Sequence, residues 1–498
     1  MKKLFSKRGV LASLRAYGYA SIVCTGPMLL SVALLLGVRY ISSRNGANGL
    51  EQELLNSMFT YTLLASLTVS SLLSMLTTRY TADMLFIEKK ERVLPSLYGS
   101  ITVSLVLGSV FYGIFLLNSG IERHHQILCF ILFAELVVIW IQINYITALK
   151  DYKSILLAFF TSILLALVFG VVLSRMGIEV VSALIIAVIA GYGVMMSWNF
   201  MLLHRYFPKG QGSAFQFLEL IDRYPKLLWI GFFTTLGLFG HLVIMWFSPL
   251  RVQVKGLFYG APAYDVPALF AFLSILITTV NFVTSVEVNF YPRYRQYFSL
   301  FNGKGALSDV QRAETEMLTV LKQELYYLAL RQVFATILFI VVGGPILVGL
   351  NMGFTEAMFG TFRILCVGYG LYAIANSIML IQLYFADNQG AFLSSVIFVV
   401  AANIGTLMLM NGDYQYYGFG FLVGSFVMYM VAWMRLMTFI KKLDYHILCS
   451  QPVLQQVYRG FFTKLADYLE RVAAKRHAVN ESEQRGNSNE NKISDKMA

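Results

Sequence analysis

Ser154 to Leu173 reads SILLAFFTSILLALVFGVVL, twenty residues without one charge. A bilayer core takes about 20 mostly apolar residues per helix, so this run has the length and character of a membrane span. Backbone groups in lipid must bond internally, and the run is continuously apolar rather than alternating, so it is a helix and not a barrel strand. Working outward from it, comparable runs lie near 16–39, 54–77, 97–118, 126–149 and 180–204, and then near 225–247, 266–288, 332–350, 362–385, 391–410 and 418–440. The expected fold class is an all-α polytopic membrane protein of about twelve spans.

Composition supports the same reading. The 498 residues are 57% hydrophobic and 13% charged, with a mean hydropathy of +0.64. A soluble domain carries about 25% charged residues, so too few charges are present to coat a water-facing surface. The net charge of +12 is better explained by basic loops on one side of a membrane than by nucleic acid, and no nucleic-acid partner is expected. Cys24, Cys129, Cys366 and Cys449 form no CxxC pair and read as small packing residues, with no disulfide framework and no metal site implied. The basic N-terminus precedes an apolar run longer than the roughly 7–15 residues of a signal peptide, so it leads into a retained first helix.

Lys and Arg are distributed 32 to 7 between the two alternating sets of loops and termini. That asymmetry places both termini in the cytoplasm of a cell-membrane protein and favours an even number of spans. Ser308 to Gln332 has a Ser308 cap signal and Val310, Met317, Leu318, Leu321, Leu325 and Leu328 at helical spacing, which predicts a membrane-surface helix entering span 9. Pro452 to Val479 carries a similar amphipathic face and reads as a membrane-lying helix or a docking helix for a cytoplasmic partner. Residues 480–498 are polar and expected to be disordered.

Twelve spans divide into an N-terminal six-helix bundle over 1–204, a cytoplasmic loop over 205–226, and a C-terminal bundle over 227–443 that includes the amphipathic segment 308–332. A cytoplasmic tail follows over 444–498. Weak internal echoes suggest a repeat. Span 2 exits through Arg79-Tyr80 and span 8 through Tyr291-Pro292-Arg293-Tyr294-Arg295. Span 4 exits through Leu149-Lys150-Asp151-Tyr152-Lys153 and span 10 through Phe385-Ala386-Asp387-Asn388-Gln389.

Three groups of strings lie in loops and at helix ends, where lipid solubility does not dictate sequence. They are Leu14-Arg15-Ala16-Tyr17-Gly18-Tyr19-Ala20 leading into Thr25-Gly26-Pro27, Thr78-Arg79-Tyr80-Thr81-Ala82-Asp83 with Lys90-Glu91-Arg92-Val93-Leu94-Pro95-Ser96, and Val286-Glu287-Val288-Asn289-Phe290-Tyr291 with Arg293-Tyr294-Arg295-Gln296-Tyr297-Phe298. In content, order and placement they resemble the Pel exopolysaccharide transporter family, over roughly residues 10–452. The resemblance implies kinship with flippases and multidrug exporters of the MOP superfamily, and hence two MATE-like six-helix bundles around a cavity that opens alternately to either side. It also implies a hexosamine-rich polysaccharide substrate, a cytoplasmic glycosyltransferase that makes it, and a cyclic-di-GMP receptor protein that controls the assembly.

Ionisable groups inside a span cost about 2.5–3.5 kcal/mol on insertion scales and are functional candidates for that reason. Glu135 in span 4 and His241 in span 7 are candidate coupling groups. Against this stands the plainer role of a group bonded to a neighbouring helix. The amides Gln142, Asn144, Asn281, Asn376, Gln382 and Asn403 are candidate cavity residues for a sugar ligand. Arg79, Arg92, Arg293 and Arg295, with Asp83 and Glu287 close by in sequence, are candidate residues of a cytoplasmic mouth or gate. Lipid-headgroup contact is the alternative role for the arginines. Gly26 and Pro27 in span 1, and Gly344 and Pro345 in span 9, are candidate hinges, because proline removes a helix hydrogen bond.

There is no P-loop and no His/Cys/Asp motif with metal-ligand spacing, so no enzyme, no cofactor and no catalytic residue is expected. The favoured function is export of an exopolysaccharide. The alternatives are a lipid-linked oligosaccharide flippase, a multidrug/cation antiporter, and a non-transporting scaffold for the glycosyltransferase.

Overall fold

The computed structural model describes residues 10–149, 151–208, 210, 213–301, 303, 305–349, 354–449 and 460–472. The polar end 480–498 and most of the Pro452 to Val479 stretch fall outside them. Among the described residues twelve long helices follow one another: α1 (Val10–Arg44), α2 (Gly49–Phe86), α3 (Val93–Asn118), α4 (Arg123–Ala148), α5 (Tyr152–Arg175), α6 (Val180–Tyr206), α7 (Pro225–Met245), α8 (Pro262–Phe301), α9 (Leu307–Gly349), α10 (Glu356–Tyr384), α11 (Asn388–Leu409) and α12 (Phe419–Ile440). Eleven of them, α2 to α12, are long and apolar enough to cross a bilayer. α1, at 35 residues, is the twelfth. The helix ends where α1 begins and α12 finishes form the basic end of the molecule; the other is called the distal end.

Local sequence sets the helix starts. Asn48 and Glu51 form a reciprocal capping box on α2, and Asp151, Thr355 and Asp387 cap α5, α10 and α11 through their side chains. Pro225 and Pro262 open α7 and α8, where a missing N–H costs nothing. The outward faces are apolar. Phe111, Ile114 and Leu117 on α3, Leu157, Phe160 and Leu164 on α5, and Phe334, Ile337 and Val341 on α9 are all exposed, as lipid-facing stripes must be. Small residues bring helices together inside. A Cβ at Gly191 would lie 2.6 Å from the Ser162 carbonyl oxygen between α6 and α5, and one at Gly424 would lie 2.5 Å from Ala402 Cα between α12 and α11.

These paired contacts belong to a repeat. Gln142 Nε2 on α4 donates to the Met196 carbonyl on α6 at 3.2 Å; Gln382 Nε2 on α10 donates to the Ala432 carbonyl on α12 at 2.9 Å. Asp151 caps α5 and accepts from the Tyr206 hydroxyl at the end of α6. Asp387 caps α11 and accepts two hydrogen bonds from the Arg435 guanidinium near the end of α12. Helices 4–6 and 10–12 therefore hold one another by the same device, and the span-4 and span-10 exit strings echo each other because each supplies the capping aspartate.

The two bundles meet along two seams. α2 enters both hydrophobic cores: Leu54, Leu55 and Met58 pack in the first bundle, and Leu64, Leu73, Leu76 and Tyr80 pack with Leu227, Ile230 and Leu238 of α7. A Cβ at Gly231 would lie 2.5 Å from the Ser71 carbonyl oxygen, which measures how closely α7 approaches α2. α1 lies against the Leu276–Thr284 segment of α8.

Two expectations are corrected. The 308–332 segment enters span 9 as expected, continuous with it in α9, but its stripe Met317, Leu321, Leu325 and Leu328 is buried against Phe290, Tyr297, Leu436 and Ile440 of the protein instead of lying on the membrane surface. Within the tail, residues 461–472 form a helix that lies on the inter-bundle loop, with Ala466 buried in the second core.

Candidate functional site

At the basic end, the last turns of α2 and the loop after α6 enclose a cleft of about 380 Å³ lined by Arg79, Tyr80, Asp83, Gln216, Glu219, Arg223 and Tyr224 among others. Arg79 and Asp83 form an ion pair at 3.1 Å, one turn apart on α2. Both Arg79 and Arg223 lie over the Tyr224 ring, at 5.6 and 5.2 Å from its centroid. Arg92 donates to Gln216 Oε1 at 3.2 Å. Of the predicted mouth residues, Arg79, Asp83 and Arg92 are brought together here. Arg293 and Arg295 are exposed on α8, and the Glu287 side chain lies outside the described residues. Gln216, Glu219, Arg223 and Tyr224 carried no signal in the sequence, because they reach the mouth only through the fold of the inter-bundle loop.

The tail helix closes against the same loop. The Asp222 carboxylate accepts from the backbone N–H and hydroxyl of Thr463, both at 2.7 Å, and from the Phe462 N–H. Desolvation raises its carboxyl, but those hydrogen bonds outweigh it and hold the group below the usual carboxylate range. A depressed carboxyl contributes its stability above its ordinary titration range and loses it as pH falls through the folded value. Asp222→Ala is expected to release residues 461–472 at neutral pH. Limited proteolysis checks this: cleavage in the tail should speed up at least several-fold, with the spans still protected.

At the distal end, a short antiparallel hairpin, β1 (Val252–Lys255) and β2 (Phe258–Gly260), leaves the second bundle and docks on the first. Its Gly256 tip rests on the Ser119–Gly120 turn, Leu257 N–H donates to the Ser119 carbonyl at 2.8 Å, and Lys255 pairs with Glu122. Phe258 is fully buried among Phe115 and Tyr61. Tyr61 of α2 stacks on Trp246, the residue that follows α7, with centroids 4.5 Å apart, and its hydroxyl donates to the Tyr259 carbonyl and accepts from the Tyr259 N–H. The Trp246 indole N–H in turn donates to the Asp265 carboxylate at 3.0 Å, which also accepts from Ala261 N–H at 2.9 Å. This set is an aromatic cluster shared by both bundles, with the Lys255–Glu122 ion pair at its rim.

The intramembrane candidates separate into two kinds. His241 is 0% exposed, with Nδ1 at 2.8 Å from the Tyr264 hydroxyl and Nε2 at 3.3 Å from the Tyr369 hydroxyl. Both nitrogens have partners, so the ring braces α7 to α8 and α10. Gln142 and Gln382 brace neighbouring helices as described, and Asn403 donates weakly to the Leu236 carbonyl between α11 and α7. Glu135 differs. It is half-buried on α4 facing Gly193 of α6, and its Oε2 has no partner among the described residues. Two amide-bearing neighbours on the same pair of helices share this character among the described residues: Asn199 on α6, which the sequence reading missed, is buried with neither amide atom bonded, and Gln142 Oε1 is unbonded. Asn281 accepts from Arg331 at 3.1 Å beside a cavity of about 480 Å³ between α8 and α9. Asn144 and Asn376 are half-buried.

α1 runs helical through Gly26 and Pro27, and a Cβ at Gly26 would lie 2.2 Å from Leu156 Cδ1, so that glycine allows α1 to pack on α5. α9 runs through Gly344 and Pro345; Gly344 faces open space and Pro345 is exposed. The motif Val286-Glu287-Val288-Asn289-Phe290 falls on a widened π-type turn over Ser285–Phe290, whose Asn289 bonds Glu324 of α9 at 2.7 Å. Such turns recur at functional positions.

Residues 1–448 match the PelG family of exopolysaccharide exporters (EPS-E). The chain belongs to that family. No curated protein matches it. Among solved structures it is similar to an outward-facing multidrug resistance MATE family transporter of the MOP superfamily, at 11% identity and TM-score 0.60, covering 86% of this chain and 96% of that one. It is also similar to a MATE in the bent conformation, at 15% identity and TM-score 0.59, with the same coverage of each chain. A third is a MOP superfamily transporter from Pyrococcus furiosus with a binding pocket of reversed polarity, at 12% identity and TM-score 0.58, again covering 86% and 96%. At such identities the likeness shows the fold, which is that of the MOP transporters. As a PelG family member with this fold, the protein is a multi-pass membrane transporter. The tail helix at 461–472 lies beyond the family match.

Separately, His124, His125 and Glu179 gather at the distal end, their ligand atoms within 4.8 Å of one another. Metal-ligand spacing along the sequence did not anticipate this group, because Glu179 reaches the histidines only through the packing of α6 on α4.

Proposed function

We propose that this protein exports a Pel-type, hexosamine-rich exopolysaccharide across the cell membrane, with both termini and the basic end in the cytoplasm. Family membership over residues 1–448 on a two-bundle transporter fold is the observation that carries this reading. The 32 to 7 distribution of Lys and Arg supports the orientation. A cytoplasmic glycosyltransferase delivers the polymer to the mouth at Arg79, Arg92, Arg223 and Tyr224, where guanidinium donors and a ring face suit hydroxyl-rich sugars. A cyclic-di-GMP receptor governs the assembly. The bundles then rock about the α2–α7 and α1–α8 seams, and the hairpin seal at the distal end opens and closes toward the outside.

The direct test is reconstitution with the cognate glycosyltransferase, measuring polymer that reaches the far side of the vesicle membrane. Polymer retained on the synthesis side by an intact complex would replace this reading with that of a scaffold. In this account Glu135 is the coupling group, since its carboxylate oxygen within a span, without a partner among the described residues, is an ionisable feature of the α4–α6 interface that helix packing does not use. Glu135→Gln is expected to lower export at least tenfold with the protein level unchanged. Wild-type secretion in that variant removes the coupling role.

A further inference from the structure

The groove between the first turns of α4 and α6 holds more nitrogen and carboxylate ligands than helix capping uses. His124 Nε2 lies 3.2 Å from Glu179 Oε2, and His125 Nε2 lies 3.5 Å from the same oxygen. Zinc–ligand bonds of about 2.0–2.1 Å in a tetrahedron place neighbouring ligand atoms about 3.3 Å apart, so both histidine nitrogens already stand at that spacing from the Glu179 oxygen, and all three atoms lie within 4.8 Å of one another. We propose that His124, His125 and Glu179 bind one transition-metal dication of the zinc class, and that this ion stiffens the platform on which the hairpin of the second bundle docks.

The surroundings are those of a ligating histidine. The His125 side chain is 2% exposed, and its Nδ1 faces Glu122 Oε2 at 3.2 Å. A carboxylate accepting the Nδ1 proton fixes the tautomer that presents a lone pair on Nε2, the arrangement common behind metal-bound histidines. Ser182 Oγ donates to Glu179 Oε2 at 2.8 Å and lies 3.2 Å from His125 Nε2, so it orients the third ligand and yields its place beside the imidazole when an ion takes the Nε2 lone pair. Two imidazoles and one carboxylate select zinc-like ions over magnesium or calcium, which prefer all-oxygen shells. His124 and Glu179 are half-exposed, which gives the ion a way in and leaves room for a water as fourth ligand.

Glu122 links this site to the seal. One oxygen faces His125 and the other accepts from Lys255 on the hairpin. Fixing the His125 ring therefore fixes the carboxylate that the second bundle grips.

The test uses the full-length protein, without a histidine tag, in lipid nanodiscs, titrated with Zn²⁺ and with Co²⁺ as a spectroscopic probe. The expected result is one ion per chain, a tetrahedral Co²⁺ absorption spectrum, no competition from excess Mg²⁺, and a thermal transition raised by Zn²⁺. His124→Ala and Glu179→Gln, both at half-exposed positions, should each weaken binding at least tenfold while eluting as monodisperse protein. Glu122→Gln should weaken it less. Failure to bind Zn²⁺, or binding unchanged in both His124→Ala and Glu179→Gln, would overturn the proposal. A Zn²⁺-bound protein whose hairpin is as readily cleaved by protease as the metal-free protein would remove the stiffening role and leave a metal site alone.

Discussion

Gly256→Val is expected to open the distal seal and reduce export by an order of magnitude or more. Gly256 has φ +55°, and a Cβ there would lie 2.0 Å from the Ser119 carbonyl oxygen and 3.0 Å from Gly120 Cα. Backbone, not a flexible side chain, occupies that space, so the hairpin tip must lift. Overpacking costs about 1–3 kcal/mol, and a β-branched residue in the left-handed region adds about 1–3 kcal/mol. At about 1.4 kcal/mol per factor of ten, the closed arrangement loses at least tenfold in population. Labelling of a cysteine placed at Glu122 by a membrane-impermeant maleimide would report it, as a faster reaction in the Gly256→Val background together with lower secretion. Unchanged labelling would mean that the tip is not part of the closure. Protons are a poor substitute for this lesion. The Glu122 carboxyl is held at about 2, chiefly by the Lys255 hydrogen bond, so the ion pair is intact above the ordinary carboxylate range and is lost only as pH falls toward 2. High salt should loosen it sooner than mild acid, since the pair is on the surface.

Arg435→Ala is expected to have the largest effect on stability. Its guanidinium meets Asp387 in a two-bond fork at 2.8 and 3.0 Å, and the Asp387 side chain is only 4% exposed. Asp387 also accepts from the Gly390 N–H at the start of α11. Removing one partner of a buried pair leaves an uncompensated charge and costs about 3–5 kcal/mol. Thermal unfolding in detergent should show a transition lowered by several degrees or a protein that no longer accumulates. Arg435→Lys should recover only part, because an ammonium cannot reproduce the fork. The equivalent site in the first bundle, Asp151 with Tyr206, is neutral on one side and exposed, so Tyr206→Phe should be far milder.

The spans were legible because lipid imposes a length and a polarity that a single sequence displays without context. The repeat was half legible. The Asp151 and Asp387 strings could be matched by eye, but that the glutamines Gln142 and Gln382, candidate cavity residues, also tie their helices to a partner two helices on could not. Their polar character was visible; the backbone carbonyl that each amide nitrogen meets was not, because it lies 54 residues away for Gln142 and 50 for Gln382, and both amide oxygens stay without a partner among the described residues. The amphipathic stretch 308–332 misled for a related reason. An apolar stripe states that a face is covered, and only the packed structure shows that α8, α10 and α12 cover it rather than lipid.

The distal seal was not legible at all. Val252-Gln253-Val254-Lys255 is too short to read as a strand, and Tyr61, Trp246 and Phe258 are three aromatics among many. Their joint role arises from contacts as far as 198 residues apart along the chain. Asp265 was overlooked for the opposite reason. An acidic residue in the first turn of a helix looks like ordinary capping, and its hold on Trp246 emerges only when α7 and α8 are side by side.

The measurement that bears most directly on alternating access is to lock the seal. In a background with the four native cysteines replaced, Glu122→Cys and Lys255→Cys would be bridged by a short bifunctional thiol reagent with a reducible spacer, and secretion measured before and after reduction. A bridged protein that stops exporting, and resumes when the spacer is cleaved, is the result this account predicts. Undiminished export through a fully bridged protein would show that polymer does not leave by parting the hairpin from the first bundle.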